Sequence, residues 1–374
     1  MAATKPSELL ARAAGGERLS RDDALVLYRD AALDELGEAA GARRRATGDP
    51  RRVTYLVDRN INYTNVCVTD CTFCAFYRPP GHAESYTLAR ETIGRKVEEL
   101  VALGGTRILL QGGHNPELGL GWYTDLFTWL RSAYRTIELD ALSPSEVAHI
   151  ATVEKTSVRR VLEALTRAGL SGLPGGGGEN LEPEVRMLLS PLKQSGFGWV
   201  ETMRIAQELG LVTSATQVIG FGESLDSRVD HMLRLRRLQD DSRARHDNGF
   251  TSFIFWPMQF ENTGLKKLNL RRERRAEPAP ADDYLRHLTV ARLLLDNFDH
   301  FQASWPTMGP EVAAQALRYG ADDYGSTMME ENVVAEAGAE YRCQAEQQIH
   351  DRVRAAGFYP AKRDSRYRIL AEYR

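Results

Sequence analysis

From about residue 50 onward, apolar positions change rhythm again and again along the chain. Short runs rich in β-branched and aromatic residues cover 53–61, 106–110, 136–141, 170–173, 212–219, 250–256, 300–305 and 321–324. Each is followed by apolar residues recurring every three or four positions, at 91–103, 122–135, 145–168, 183–209, 226–240, 282–297, 310–319 and 344–356. A period near 3.6 places apolar residues on one stripe of a helix, whereas a short, nearly continuous apolar run suits a strand buried on both faces. Before this region, 6–46 is helical in pattern throughout, with Leu9, Leu10 and Ala13, then Ala24, Leu25, Leu27, Tyr28, Ala32, Leu33 and Leu36. Ser20-Arg-Asp-Asp reads as a helix start, with a capping hydroxyl and acids in the first turn.

Strand-then-helix units in series predict a parallel sheet, because a parallel neighbour needs a crossover and a helix supplies it. Eight such units predict a closed (β/α)8 barrel of the TIM type, with the helical stretch as an N-terminal extension. The expected division is 1–50 for the extension, 51–360 for the barrel and 361–374 for a C-terminal tail. The fourth run is dominated by Gly and Pro, so an incomplete six-unit barrel with a C-terminal appendage is the alternative. In a (β/α)8 barrel the chemistry gathers in the loops after the strands. The distinctive residues fall there, run after run: the cysteines, Gln111-Gly-Gly-His114, Ser143-Pro-Ser-Glu146, Pro174-Gly-Gly-Gly-Gly-Glu179, Gly220-Phe-Gly-Glu223, Trp256-Pro-Met-Gln259 and Gln302-Ala-Ser-Trp305.

The 374 residues suffice for such a barrel, and a net charge of −3 offers no basic field for nucleic acid or a membrane surface. No apolar run approaches the roughly 20 residues of a membrane span. The opening MAATKPSELLARAAGGE lacks the apolar core of a signal peptide, so the cytoplasm is the expected compartment. The charged, Pro-containing stretch 266–280 reads as an exposed loop.

Three of the chain's four cysteines stand together, Cys67-Val-Thr-Asp-Cys71-Thr-Phe-Cys74, and Cys343 stands alone in a polar stretch. Structural zinc wants four ligands, so a zinc reading needs a distant His to complete the set. A four-iron cluster held by three thiolates instead keeps one iron open to a small molecule. The spacing, with the aromatic that follows in Cys74-Ala-Phe-Tyr77, resembles the radical S-adenosylmethionine (SAM) superfamily. That resemblance implies a [4Fe–4S] cluster on Cys67, Cys71 and Cys74, with SAM chelated at the open iron and reductively cleaved to a 5′-deoxyadenosyl radical.

The other motifs each have a plainer reading beside the functional one. Gly112 and Gly113 let backbone approach a ligand, or they make an ordinary strand-to-helix turn. His114 lines a pocket, or it is solvated. The glycine run before Glu179 lacks the Lys-Ser/Thr of a phosphate loop, but its carboxylate could accept two ribose hydroxyls. Ser143 caps a helix with Pro144 at its first position, or it touches substrate. Arg204 clamps a carboxylate, or it lies on a solvated helix face.

Longer strings sharpen the resemblance. Asn60-Ile-Asn-Tyr-Thr-Asn-Val-Cys67, Leu110-Gln-Gly-Gly-His-Asn-Pro116, Phe255-Trp-Pro-Met-Gln-Phe-Glu-Asn-Thr263, Gln302-Ala-Ser-Trp305 and Met329-Glu-Glu-Asn-Val-Val334 are similar to the radical SAM cyclases of the menaquinone futalosine pathway. The similarity runs from about residue 20 to the end. It implies a reaction in which the deoxyadenosyl radical takes hydrogen from C4′ of the ribose in dehypoxanthine futalosine. The carbon radical then adds to the benzoate ring, and loss of an electron and a proton restores aromaticity. Related carbon–carbon bond formers, of the aminofutalosine synthase or FO synthase type, are the alternative, as is a cyclase retuned for another metabolite. Carried over by position, Phe73, Tyr77, Gly112, Gly113 and Glu179 are SAM contacts, with Arg204 a further candidate. Ser143 and Gln302 are substrate contacts, and His114, Asp140 and Glu223 are candidates to take the final proton. The implied partners are a small-molecule substrate and a one-electron donor such as flavodoxin or ferredoxin. Two departures are present: the family's Gly-Gly-Ala-Glu turn is Gly177-Gly178-Glu179-Asn180 here, and its Gly-His-x-Glu is Gly220-Phe-Gly-Glu223.

Overall fold

In the computed structural model, residues 5–268 and 278–374 are described. They form one sheet of 11 strands: β1 (Arg52–Leu56), β2 (Asp58–Asn62), β3 (Arg107–Gln111), β4 (Glu138–Ala141), β5 (Gly172–Leu173), β6 (Val212–Ile219), β7 (Phe250–Pro257), β8 (His300–Gln302), β9 (Asp323–Ser326), β10 (Tyr359–Arg363) and β11 (Ile369–Glu372). The order is β11-β10-β1-β9-β8-β7-β6-β5-β4-β3-β2, and every pairing is parallel except that of β10 with β11. Only Val57 separates β1 from β2, so the run 52–62 pairs with β9 through its first half and with β3 through its second. That run closes the curl, and the eight strand-then-helix units make a (β/α)8 barrel.

The weak fourth run survives as a two-residue strand. Its Gly172 is there for space: a Cβ would lie 2.1 Å from Asp140 Oδ1. Two long helical patterns are broken. The stretch 145–168 becomes Pro144–Val153 and Val158–Ala168, because Lys155 turns through a left-handed conformation (φ 49°). The stretch 183–209 becomes Pro183–Leu189 and Gly196–Glu208. Pro191 can neither donate a helical hydrogen bond nor leave Ser190 helical, so 190–195 becomes a loop. That loop carries Lys193, which becomes important below.

The N-terminal extension is three helices, Pro6–Ala14, Arg21–Asp30 and Leu33–Ala46. Ser20 and Asp23 form a reciprocal capping box at the second. The extension packs on the barrel wall. Arg286 donates to the carbonyls of Tyr28 (3.2 Å) and Ala31 (2.7 Å), and Tyr28 Oη meets the buried His287. Apolar residues from the extension and from both faces of the barrel merge into one core.

The end of the chain is more than a tail. Residues 361–374, expected as one, begin inside β10, and the following turn seals the barrel's N-terminal mouth. Ser365 Oγ donates to Asp140 Oδ2 (2.9 Å), Ser365 N to Glu138 Oε2 (2.9 Å) and Arg366 to Gly210 O (3.2 Å). Tyr367 stacks on His300 at 3.8 Å between ring centres. Beneath them, Arg363 Nε pairs with Asp323 Oδ2 at 2.5 Å. No described helix is long and apolar enough to cross a membrane. Of the 266–280 stretch, 269–277 lies outside the described residues, and Gly264–Leu268 is a short helix.

Candidate active site

A cavity of about 260 Å3 opens at the C-terminal ends of the strands. Its rim is the loop after β2. Cys67 and Cys71 are buried there and Cys74 half-buried, with Thr69 Oγ1 3.0 Å from Cys67 Sγ and 3.5 Å from Cys71 Sγ. The loop is pinned from both sides: Cys67 N donates to Arg78 O (2.9 Å), and Thr72 N to Leu189 O (2.9 Å). Asp70, at φ 43°, turns the chain between the first two cysteines and accepts from Tyr77 Oη. All three cysteines line the cavity, and Cys343 is exposed away from them. Among the described residues, no three His, Cys, Asp or Glu side chains converge as a single ion requires. A lone zinc needs sulfurs about 2.3 Å from one centre, whereas a four-iron cluster spreads its thiolates over a cube. The donor set fits the larger group.

The glycines of the next two loops are explained by contact. A Cβ on Gly113 would lie 2.2 Å from Val66 O, and one on Gly112 would lie 2.7 Å from the Tyr63 ring. The strand-to-helix turn therefore presses directly on the cysteine loop. In the glycine run, Gly177 takes φ 78°, and a Cβ on Gly176 would meet Gln111 Nε2 at 2.9 Å. Arg186 staples this run by donating to the carbonyls of Gly177 (2.9 Å), Asn180 (3.1 Å) and Gln194 (2.6 Å).

Glu179 ends the run with its carboxyl inside the cavity wall. Oε1 accepts from Lys193 Nζ at 2.8 Å, while the buried Oε2 has no hydrogen-bond donor and sees Arg186 Nη1 only at 3.8 Å. Burial pushes this carboxyl up, but Lys193 and Arg186 outweigh it and hold it below the usual carboxylate range. An ionised carboxylate with one unfilled oxygen is an acceptor for ligand hydroxyls. Lys193 also sits 5.2 Å over the Phe73 ring, and Phe73 packs 6.1 Å from Phe221.

His114 lines the cavity and stacks on His149 at 5.1 Å. Burial, with Lys193 and His149 adding to it, pulls its basicity well below the ordinary histidine range, so it is a neutral imidazole. Ser143 caps the helix Pro144–Val153, accepting from Glu146 N at 3.2 Å, and also faces the cavity.

Four sequence candidates lie elsewhere. Asp140 points to the barrel floor, where Ser365 and Arg107 hold it and Gly172 leaves room for its carboxyl. Glu223 is consumed by its own loop: it accepts from Gly220 N (2.9 Å), Phe221 N (2.7 Å) and Arg228 Nε (2.7 Å). Arg204 is on an outer helix face, paired with Glu201 (2.6 Å) and Glu208 (3.1 Å). Gln302 is not among the residues lining this cavity. Conversely, Lys193, Arg186 and Glu146 escaped the sequence reading. Lys193 and Arg186 fall within one predicted helix (183–209), and Glu146 is part of the Ser143-Pro-Ser-Glu146 motif without a role of its own.

The Radical SAM superfamily matches residues 61–235, and the CofH/MqnC C-terminal region matches 247–373. Cyclic dehypoxanthine futalosine synthase of Halalkalibacterium halodurans is 42% identical over 98% of this chain and 95% of that protein. The chain belongs to the radical SAM family of the futalosine synthases. The enzyme of the same name from Streptomyces coelicolor is also 42% identical, over 97% of this chain and 88% of that protein. Aminodeoxyfutalosine synthase of Thermus thermophilus is 37% identical, over 94% and 92%. Among solved structures, methylornithine synthase (PylB) shares the fold with a TM-score of 0.70 at 19% identity, covering 94% of this chain and 97% of that one. The [FeFe]-hydrogenase maturase HydG gives 0.74 at 15%, covering 96% and 77%. Radical SAM enzymes use a [4Fe–4S] cluster and SAM, and the three thiols, the close-packed glycines and the half-filled Glu179 are where this chain would hold them.

Proposed function

We propose that this protein is the radical SAM cyclase that converts dehypoxanthine futalosine to its cyclic form in menaquinone biosynthesis. The observation that carries the reading is the three-thiol loop facing Glu179 and the glycine turns across one cavity, in a chain 42% identical over nearly its whole length to two cyclases of that name. When bound, the cluster and SAM supply a 5′-deoxyadenosyl radical able to take hydrogen from a ribose carbon. The chain's residues orient and shield that chemistry. Cys67, Cys71 and Cys74 hold the cluster. Gly112, Gly113 and the backbone of Phe73 form a close wall for SAM, with Tyr77 beside it. Glu179, whose buried Oε2 has no donor, would accept hydrogen bonds from SAM's hydroxyls. The buried Phe221 and Met258, with the half-buried Phe73 packed on them, keep water from this side of the cavity. Ser143 and His114 face the substrate space. The reaction is intracellular, and a flavodoxin or ferredoxin supplies the electron.

Two experiments test this. Reduced enzyme given SAM and dehypoxanthine futalosine, without oxygen, yields a product lighter by two hydrogens together with 5′-deoxyadenosine; SAM cleavage with the substrate unchanged would instead favour the aminodeoxyfutalosine synthase type or a retuned cyclase. Glu179→Gln keeps the cluster's visible absorbance but weakens SAM binding by about 10-fold, the worth of a charge-assisted hydrogen bond. Unchanged SAM affinity by equilibrium dialysis would remove Glu179 from the site.

A further inference from the structure

The cavity holds a second carboxyl that none of these roles uses. Glu146 lies in the first turn of the helix Pro144–Val153, three residues after its cap Ser143, and is only 3% exposed. Its Oε1 accepts two hydrogen bonds, from Tyr63 Oη at 2.8 Å and from Gly112 N at 2.9 Å. Tyr63 Oη is itself within 3.1 Å of Tyr123 Oη. Glu146 Oε2 takes part in neither of these bonds; the Ser143 hydroxyl is the carboxyl's further polar partner, and Glu146 and Ser143 both line the cavity. One oxygen is therefore pinned by Tyr63 and Gly112, and the other, which neither of them holds, belongs to a carboxyl in the cavity wall. The other cavity carboxyl, Glu179, is paired with Lys193 through Oε1 and is assigned above to SAM.

We propose that Glu146 accepts, on Oε2, the proton that leaves the aromatic ring when the cyclised substrate regains aromaticity. The assignment rests on the cyclase reading above. Addition of the C4′ radical to a ring carbon forms the C–C bond and leaves an unpaired electron in the ring. The C–H bond at that carbon then breaks. Its electron pair returns to the ring, its proton passes to Glu146, and the surplus electron passes to a one-electron acceptor of the iron–sulfur class.

The surroundings favour this carboxyl over the neighbouring imidazole. Burial pushes Glu146 up to about 7, against the opposing hydrogen bonds from Ser143, Gly112 and Tyr63. A base near neutrality is well matched to proton transfer, whereas the depressed His114 is a weak one. The titratable groups around the site are Tyr63 and Tyr123, raised by burial and so neutral, His114 and His149, lowered by burial and so neutral, and the Glu179–Lys193 pair on the same cavity wall. The acceptor must be ionised, so cyclisation falls as pH drops through about 7.

The test uses holoenzyme, SAM and dehypoxanthine futalosine deuterated at C4′. Glu146→Gln retains the cluster, SAM cleavage and deuterium transfer into 5′-deoxyadenosine in a single turnover. It forms cyclic product about 100-fold more slowly or worse, and the loss of rate below neutrality disappears. Glu146→Asp, which keeps the carboxylate but draws it back, recovers part of the rate and the pH dependence; it carries the test alone if the Gln variant does not fold. Wild-type rate and pH profile in Glu146→Gln would overturn the assignment, as would loss of SAM cleavage, which would place Glu146 at the cofactor. Absence of deuterium transfer in the unmodified enzyme would overturn the cyclase reading itself.

Discussion

Cys71→Ala yields a folded protein that binds no intact four-iron cluster and cleaves no SAM. Cys71 is the middle thiol of the trio, buried within the loop and linked to Cys67 through Thr69 Oγ1. Two thiolates cannot anchor a cube whose fourth corner must stay open for SAM. The fold itself loses little: a small side chain becomes a smaller one on a loop fixed by its backbone bonds, a cost of about 1 kcal/mol. Anaerobic reconstitution followed by iron analysis and 5′-deoxyadenosine detection reads the outcome, with circular dichroism as the control. Full iron loading and SAM cleavage in the variant would take Cys71 out of the ligand set.

Asp323→Ala is the corresponding stability prediction, and it acts at the other end of the barrel. Asp323 is 0% exposed and is the hub of the floor. It accepts from Thr54 Oγ1 (2.6 Å), from Gly325 N (2.8 Å) and from Arg363 Nε (2.5 Å), whose own side chain is 3% exposed. Removing the carboxylate leaves the buried Arg363 guanidinium without its counter-charge and the Gly325 amide without its acceptor, while Thr54 Oγ1 keeps only a longer bond to Asp322 O (3.3 Å). Breaking a buried pair from one side costs about 3–5 kcal/mol. Thr54 on β1, Arg363 on β10 and Asp323 on β9 also bind the closing run to the C-terminal seal. The apparent melting temperature falls on the order of 5 °C. A melting temperature within error of the unmodified protein would mean that the seal is dispensable.

Much of this was legible because the signals were local. Strand-then-helix alternation needs only apolar spacing, and the eight expected runs correspond to the strands of the barrel, with the run 52–62 split at Val57. The cysteine trio declares itself through spacing, and Gly112 and Gly113 through their place after a strand. What escaped depends on distant partners. The charged string from Lys362 to Tyr367 looks like a solvated tail until Asp323, Asp140 and His300 are seen beneath it. Asp140 sits just before a functional loop but faces the floor. Glu223 appears free in the sequence, whereas two backbone amides and Arg228 take up its oxygens. Lys193 reaches Glu179 only because Pro191 breaks the helical pattern around it. Glu146 becomes conspicuous only when its carboxyl is seen buried in the cavity wall with one oxygen pinned by Tyr63 and Gly112.

The claim that everything else depends on is an open iron, at the mouth of this barrel, that SAM occupies. Electron paramagnetic resonance of the dithionite-reduced, reconstituted protein tests it most directly. The account predicts a spectrum of a reduced [4Fe–4S] centre whose g-values change on adding SAM and which is lost in Cys71→Ala. A spectrum that SAM leaves untouched, or a protein that takes up zinc and no iron, would contradict it.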